Sequence, residues 1–391
     1  ETRQMGFSRD GTVFFIHRSE YMAADHITVH SSVDGRRLGE SPGRLYAKTS
    51  EWLESRGDRG EIVYATGRHV WSWDWRATVT PRDDDALTAN HAEAWAIAYS
   101  PDGKYFATGA DDAGGGEATI KLWEIGTNNL VRSWRDLNST VADLAFSPDG
   151  RLIATAHLGQ EKAVRVREAA GGEPILFEMP DKQWARSVEF DPSGEVVFAG
   201  GDQGDLVAWN LRSRSALWSV RLGTPVAIAR NQLRIHDLAV DARTSRLASA
   251  SDDGSVRLQD LGTGAVLFQY LAPAAVYSIA FSPDGRTLAA ADRDGSIHLL
   301  DASTGQLVRI VYSDDTELRA VAFSPDGRTL AAGGLGKLVR LWDPETSHEL
   351  LTLRDAEAQI NCLVFSPDGD SLAAADHSGM VRFWRGPHVD R

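Results

Sequence analysis

Residues able to do chemistry are scattered along this chain, and most stand in spacings their chemistry does not accept. Gly333-Gly334-Leu335-Gly336-Lys337-Leu338 has the glycines and lysine of a phosphate-cradling loop, without the Gly-x4-Gly-Lys-Ser/Thr spacing or the hydroxyl. It reads as a turn between two strands. His348-Glu349-Leu350-Leu351-Thr352 lacks the second histidine of a HExxH zinc site and falls on an expected strand. Gly39-Glu40-Ser41-Pro42-Gly43 spells GxSxG, but a proline after the serine removes the backbone N–H that an oxyanion hole needs. His26 and His30 share one face of a strand, with His17 upstream, and no third ligand can be placed beside them, so they read as surface histidines. Asp111-Asp112 and Asp252-Asp253-Gly254 fit turns and lack an EF-hand register. Ala113-Gly114-Gly115-Gly116-Glu117 reads as a surface excursion and Arg82-Asp83-Asp84-Asp85 as a solvated loop. No catalytic residue, metal or cofactor is expected.

Composition narrows the remaining classes. Of 391 residues 42% are hydrophobic and 25% charged, which is ordinary for a globular chain with a sizeable core. Lys+Arg at 41 against Asp+Glu at 55 gives −14, a field that repels a phosphate backbone, so nucleic acid is not an expected partner. One cysteine, Cys362, excludes an internal disulfide framework or thiolate cluster. No apolar run approaches the ~18 residues of a membrane span. The expected compartment is the cytoplasm. Starting at Glu1 with no initiator Met, the chain reads as a processed or excised piece of a longer product.

A repeat organises everything else. Phe-Ser-Pro-Asp-Gly begins at Phe146, Phe281, Phe323 and Phe365, with variants at Tyr99 (YSPDG), Phe190 (FDPSG) and Phe7 (FSRDG) and weaker relatives at Leu53 and Val240. The spacings run from 41 to 50 residues, the length of one four-stranded propeller blade. Each period holds an apolar strand (Val276 to Phe281), the Ser-Pro-Asp-Gly hairpin turn, and a strand of small residues (Thr287 to Ala290). A second tight turn follows, then an alternating strand such as Ser255 to Asp260, and a Gly-Thr-Gly turn leads into a fourth strand. Five tryptophans (Trp73, Trp123, Trp209, Trp342, Trp384) end the third strand, where a large ring fills the space between neighbouring sheets.

The pattern FSPDG…LAAG…DGxVRLWD…TG resembles the WD40 repeat in its bacterial form over nearly the whole chain. The resemblance implies an all-β, closed β-propeller with strand a lining a central channel and strand d outermost, and a platform that binds partners. The family's Gly-His dipeptide before strand a is absent, so its Asp-His-Ser/Thr-Trp hydrogen-bond tetrad is not expected in its usual form. Trp-Asp itself survives only at Trp73-Asp74 and Trp342-Asp343. Nine turn positions predict nine blades, with eight as the alternative, in a single domain over 1–391. The approximate repeats are 1–42, 43–90, 91–136, 137–181, 182–229, 230–272, 273–314, 315–356 and 357–391. The last repeat stops after its third strand, and the expectation is a ring without its latching outermost strand, leaving strand c as an exposed edge.

One position varies where its neighbours do not. Four residues before each turn motif, from the third repeat on, stand Trp95, Ala142, Arg186, His236, Tyr277, Arg319 and Asn361. The next residues are small or short and polar, and the ones after are aliphatic. The resemblance places this position at a bulge on the channel rim opposite the Ser-Pro-Asp-Gly turns. Trp95, Arg186, His236, Tyr277, Arg319 and Asn361 are therefore the expected partner-binding rim, the two arginines favouring an acidic group. By fold analogy the expected function is a non-catalytic protein-interaction or ligand-sensing module, part of a larger bacterial signalling or effector protein and fused to its effector domain. A propeller enzyme with a channel-mouth site and a self-assembling scaffold are the alternatives.

Overall fold

The computed structural model describes residues 93–385 apart from 112–116, 138–139, 160–162, 224–233, 242, 314–316 and 355, with backbone alone at 117–119 and 136–137. Upstream it describes the backbone of eight strands: 2–7, 13–19, 26–31, 37–40, 50–56, 61–66, 69–74 and 86–88. The chain divides into two compact units, 1–80 with 350–352 and 386–391, and 81–349 with 353–385. In the first unit Thr2–Phe7, Val13–Ser19, His26–Ser31 and Arg37–Glu40 form a four-stranded antiparallel sheet, and Ser50–Arg56, Glu61–Thr66 and His69–Asp74 a three-stranded one.

The second unit holds a ring of seven four-stranded blades. Their innermost strands are Ala94–Tyr99 (blade I), Thr140–Phe146 (II), Ala185–Phe190 (III), Ile235–Asp241 (IV), Val276–Phe281 (V), Leu318–Phe323 (VI) and Ile360–Phe365 (VII). Each packs against the next, and blade VII packs against blade I, so the ring closes. This corrects the expected nine blades, and eight as well. Closure is set by the angle between neighbouring sheets, and seven are enough, whatever the number of repeats in the sequence. The first two repeats form the sheets of the first unit.

The latch also differs from expectation. Ala86–Thr88 pairs antiparallel with Met380–Arg385 as the fourth strand of blade VII, in the register Met380↔Thr88, Val381↔Leu87 and Arg382↔Ala86. Strand c of the last blade is therefore covered. Repeat boundaries had assigned these three residues to the end of the second repeat, and so short a strand carries little pattern of its own.

The core lies between blades. Phe106, fully buried, stacks on Trp123 at 6.1 Å and meets Phe383 of blade VII edge-on at 5.2 Å. Trp209 packs with Phe177, Met179 and Val164 of blade II, and Trp342 with Ile297, Leu299 and Val311 of blade V. Burying such rings contributes about 1.5–3 kcal/mol or more each.

The Ser-Pro-Asp-Gly turns are self-sufficient. Ser282 Oγ donates to Asp284 at 2.6 Å and accepts from the Thr287 N–H at 2.9 Å, while Asp284 accepts from the Arg286 N–H at 3.0 Å. Gly285 takes the left-handed conformation, φ +70°, that closes the turn. The same bonds recur at Ser100, Ser147, Ser324 and Ser366. Gly333 and Gly334 close the strand Leu330–Gly334, and Leu335–Lys337 turn toward the strand Val339–Trp342.

The tetrad survives in fragments. Trp123 Nε1 donates to Thr108 Oγ1 at 3.1 Å in blade I. In blade IV the Gln259 side chain stands at the indole's position, its amide oxygen accepting from the Ser249 hydroxyl at 2.9 Å. Blade V buries His298 between Asp292 (2.9 Å) and the Tyr270 hydroxyl (3.0 Å).

Candidate functional rim

Every innermost strand of the ring carries the same irregularity. In blade I, Ala94 pairs with Ala110 and Ala96 with Gly109, leaving Trp95 without a partner across the ladder. The same register shift isolates Ala142, Arg186, His236, Tyr277, Arg319 and Asn361 in blades II to VII. An extra residue turns the strand locally and aims one side chain out of the sheet. All seven positions are half-buried. They sit at the start of each innermost strand, the end away from its Ser-Pro-Asp-Gly turn.

Between blades III and VI these side chains form a continuous belt. Arg186 is bonded to Asp202, and Arg234 lies 3.9 Å from Asp202 and 3.5 Å from Asp252. Asp252 also holds His236 at 2.5 Å, which holds the Asp252 carboxyl below the usual range although burial opposes it. His236 meets Tyr277 edge-on at 4.7 Å, and the Arg319 guanidinium lies 6.0 Å from the Tyr277 ring centre while donating to Glu317 at 2.9 Å. In these pairs three guanidinium groups face three carboxylates. The anionic group expected from a partner is already supplied from within the chain, so the acidic-partner expectation has no support in this geometry.

The seam between blades VII and I is different. Asn361 Nδ2 donates to the Ala94 carbonyl at 3.0 Å, Gln359 bonds both Asn361 and His377, and His377 bonds Glu93 at 2.9 Å. Trp95 meets the His377 ring edge-on at 6.2 Å, and its Nε1, hidden from solvent, has no acceptor among the described residues.

Below the rim, the channel wall holds three carboxyls from consecutive blades. Asp143 accepts from Ser187 and the Val188 N–H of blade III, both at 2.9 Å, and Asp237 from Ser278 and the Ile279 N–H of blade V, both at 2.9 Å. Burial pushes Asp143 up to about 7, Glu189 to about 8 and Asp237 to about 6, with the Asp237 charge adding to the shift of Asp143, and both aspartates to that of Glu189. Burial likewise pushes the Cys362 thiol up to about 12, which keeps it protonated and unreactive. Among the described residues no three His, Cys, Asp or Glu side chains are grouped to hold a metal.

The sequence reading located the bulge positions and missed their partners. Glu93, Arg234, Glu317 and Gln359 stand two residues before a bulge, and Asp202, Asp252 and His377 in the second tight turn of their blades. Both sets have a fixed offset from the turn motif, a signal that the same counting would have found. His17, His26, His30 and the Gly39–Gly43 motif have side chains outside the described residues, as do Ala113–Gly116 and Arg82–Asp85.

A closed ring of four-stranded antiparallel blades, with Ser-Pro-Asp-Gly turns in five of the seven and a varied bulge position in all, is a β-propeller. Five segments, 86–124, 128–167, 266–301, 305–343 and 347–385, match the model of the WD domain, G-beta repeat, and the ring belongs to the WD40-repeat family. Among similar proteins, "Periodic tryptophan protein 2" of Arabidopsis thaliana is 24% identical over 68% of this chain and 27% of its own length. "Eukaryotic translation initiation factor 3 subunit I" of Scheffersomyces stipitis is 28% identical over 50% of this chain and 59% of its own. An uncharacterized WD repeat-containing protein of Synechocystis is 26% identical over 45% of this chain and 47% of its own. The chain thus spans less than two thirds of the length of the relatives it matches, and they do not single out the bacterial form.

Proposed function

We propose that the ring is a non-catalytic interaction module that holds a protein or peptide partner on its bulge rim, within a larger assembly in the cytoplasm. The observation that carries this is the contrast at a single offset: seven bulges of identical backbone register present Trp, Ala, Arg, His, Tyr, Arg and Asn. A position free of core packing and varied in Trp, Tyr and Arg is suited to hot-spot contacts. One relative is by name a subunit of a multi-subunit factor, which supports an assembly role over a free-standing enzyme. Sensing of a small ligand and fusion to an effector are finer versions of the same reading.

The test replaces Trp95, Arg186, Tyr277 and Arg319 together with Ala. A partner is captured from native extract by the unmodified chain, identified and purified, and its affinity for both proteins is measured by calorimetry. Loss of about 100-fold or more with an unchanged circular dichroism spectrum is expected. Full affinity in the folded variant places the binding site elsewhere.

A further inference from the structure

We infer that the anchor of this rim is the seam between blades VII and I, and that it takes an uncharged, extended peptide presenting a backbone carbonyl to Trp95. The inference rests on the rim reading and adds which part binds and what chemistry it prefers.

The indole N–H donates and cannot accept, and left unbonded away from water it destabilises the fold. Trp95 Nε1 is in that state. A carbonyl oxygen is the matching acceptor, and an extended segment has carbonyls not committed to its own helix bonds. A carboxylate would satisfy the indole too, but Glu93 is in the same seam, bonded to His377, and the chain as a whole carries −14. The remaining groups beside the large aromatic face are the uncharged Gln359 and Asn361 amides and the His377 ring. Reaching Nε1 requires a neighbour to move, and His377, with its side chain 43% exposed, is placed to swing outward. The belt over blades III to VI, by contrast, has its arginines already bonded to Asp202 and Glu317, so an acidic peptide gains there only what it displaces.

The experiment selects binders for the whole 391-residue chain from a random phage-displayed library of about 12-residue peptides. Synthetic copies of the selected peptides are the probes, titrated by fluorescence anisotropy into the unmodified chain, Trp95→Ala, Trp95→Phe and the Arg186→Ala/Arg319→Ala double variant. Selected peptides without acidic enrichment are expected. They should bind about 10-fold or more weakly to Trp95→Ala, about 3-fold or more weakly to Trp95→Phe, which keeps a ring and loses the N–H, and within about 2-fold of normal to the arginine variant. Acidic peptides that depend on the arginines would overturn the inference and leave the rim reading intact. Full binding to Trp95→Phe would overturn the carbonyl contact. Failure to select any binder would overturn the inference, and binding indifferent to every rim change would overturn both readings.

Discussion

The two ends of the innermost strands solve opposite problems with the same backbone. At the turn end, Ser, Pro, Asp and Gly recur because each has a fixed duty: the hydroxyl bridges the loop, the carboxylate caps an N–H and the glycine takes φ near +70°. Neighbouring blades come close there through the repeated residues, since a Cβ added at Gly327 would meet Pro283 at 3.5 Å. At the bulge end the backbone register is equally constant, yet the residue type changes from blade to blade. Repetition thus marks what the ring needs in order to close, and variation marks the positions that closure leaves open.

The comparison is sharpened most by two aromatic residues of one blade. Phe106→Ala, in the packing between blades I and VII, should cost about 3–5 kcal/mol in urea unfolding, whereas Trp95→Ala on the rim should cost under about 1 kcal/mol. Equal losses would mean that Trp95 is core. Next, Ser282→Ala with Asp284→Ala removes the bonds of one turn and should cost about 2 kcal/mol with partner affinity unchanged. A fall in affinity without a fall in stability would break the assignment of duties to the two ends.

A smaller effect separates the carboxyls of the two regions by pH. Burial holds Asp143, Glu189 and Asp237 at about 7, 8 and 6, so the folded ring keeps protons that an unfolded chain releases near pH ~4. Their contribution to stability is fully present below that pH and is lost as pH rises to about 8. The Ser282 hydroxyl holds Asp284 below the ordinary carboxylate range, so its contribution runs the other way and is lost only in acid. Asp143→Asn should therefore raise Tm by about 2–4 °C at pH 8 and leave little change at pH 5, read by calorimetric scans. A rise of the same size at both values would show that Asp143 is already ionised at pH 5 and that burial does not raise it. Smallest of all, Arg319→Ala should shift stability by no more than about 0.5 kcal/mol, because its pairing with Glu317 is half-exposed. A loss above about 2 kcal/mol would make that pair a structural element.

What the sequence made legible follows the same division. The turn motif, the third-strand tryptophans and the bulge offset are local and repeated, so counting along the chain finds them. The number of blades in the ring is not local, because nothing in a repeat says which neighbour closes on which. Ala86–Thr88 has too few residues to show a strand period, and its partner lies almost 300 residues away. Asp143 and Asp237 share the offset directly after the bulge, but Glu189 stands at another, so the three are not grouped until the channel brings them together. Cross-bonding at the rim was hidden for a similar reason, since Asp202 and Asp252 reach it from a different turn of their blades.

The three-residue latch has a mechanical consequence. Because Thr88 faces Met380 and Ala86 faces Arg382, the chain flanking the latch and the chain leaving the last blade depart from the same end of one ladder. Tension between those two flanks loads the rungs one after another, as in opening a zip, instead of shearing all of them together. A pull along the polypeptide would therefore release the latch at low force and expose the edge of Met380–Arg385 before any other strand of the ring is disturbed.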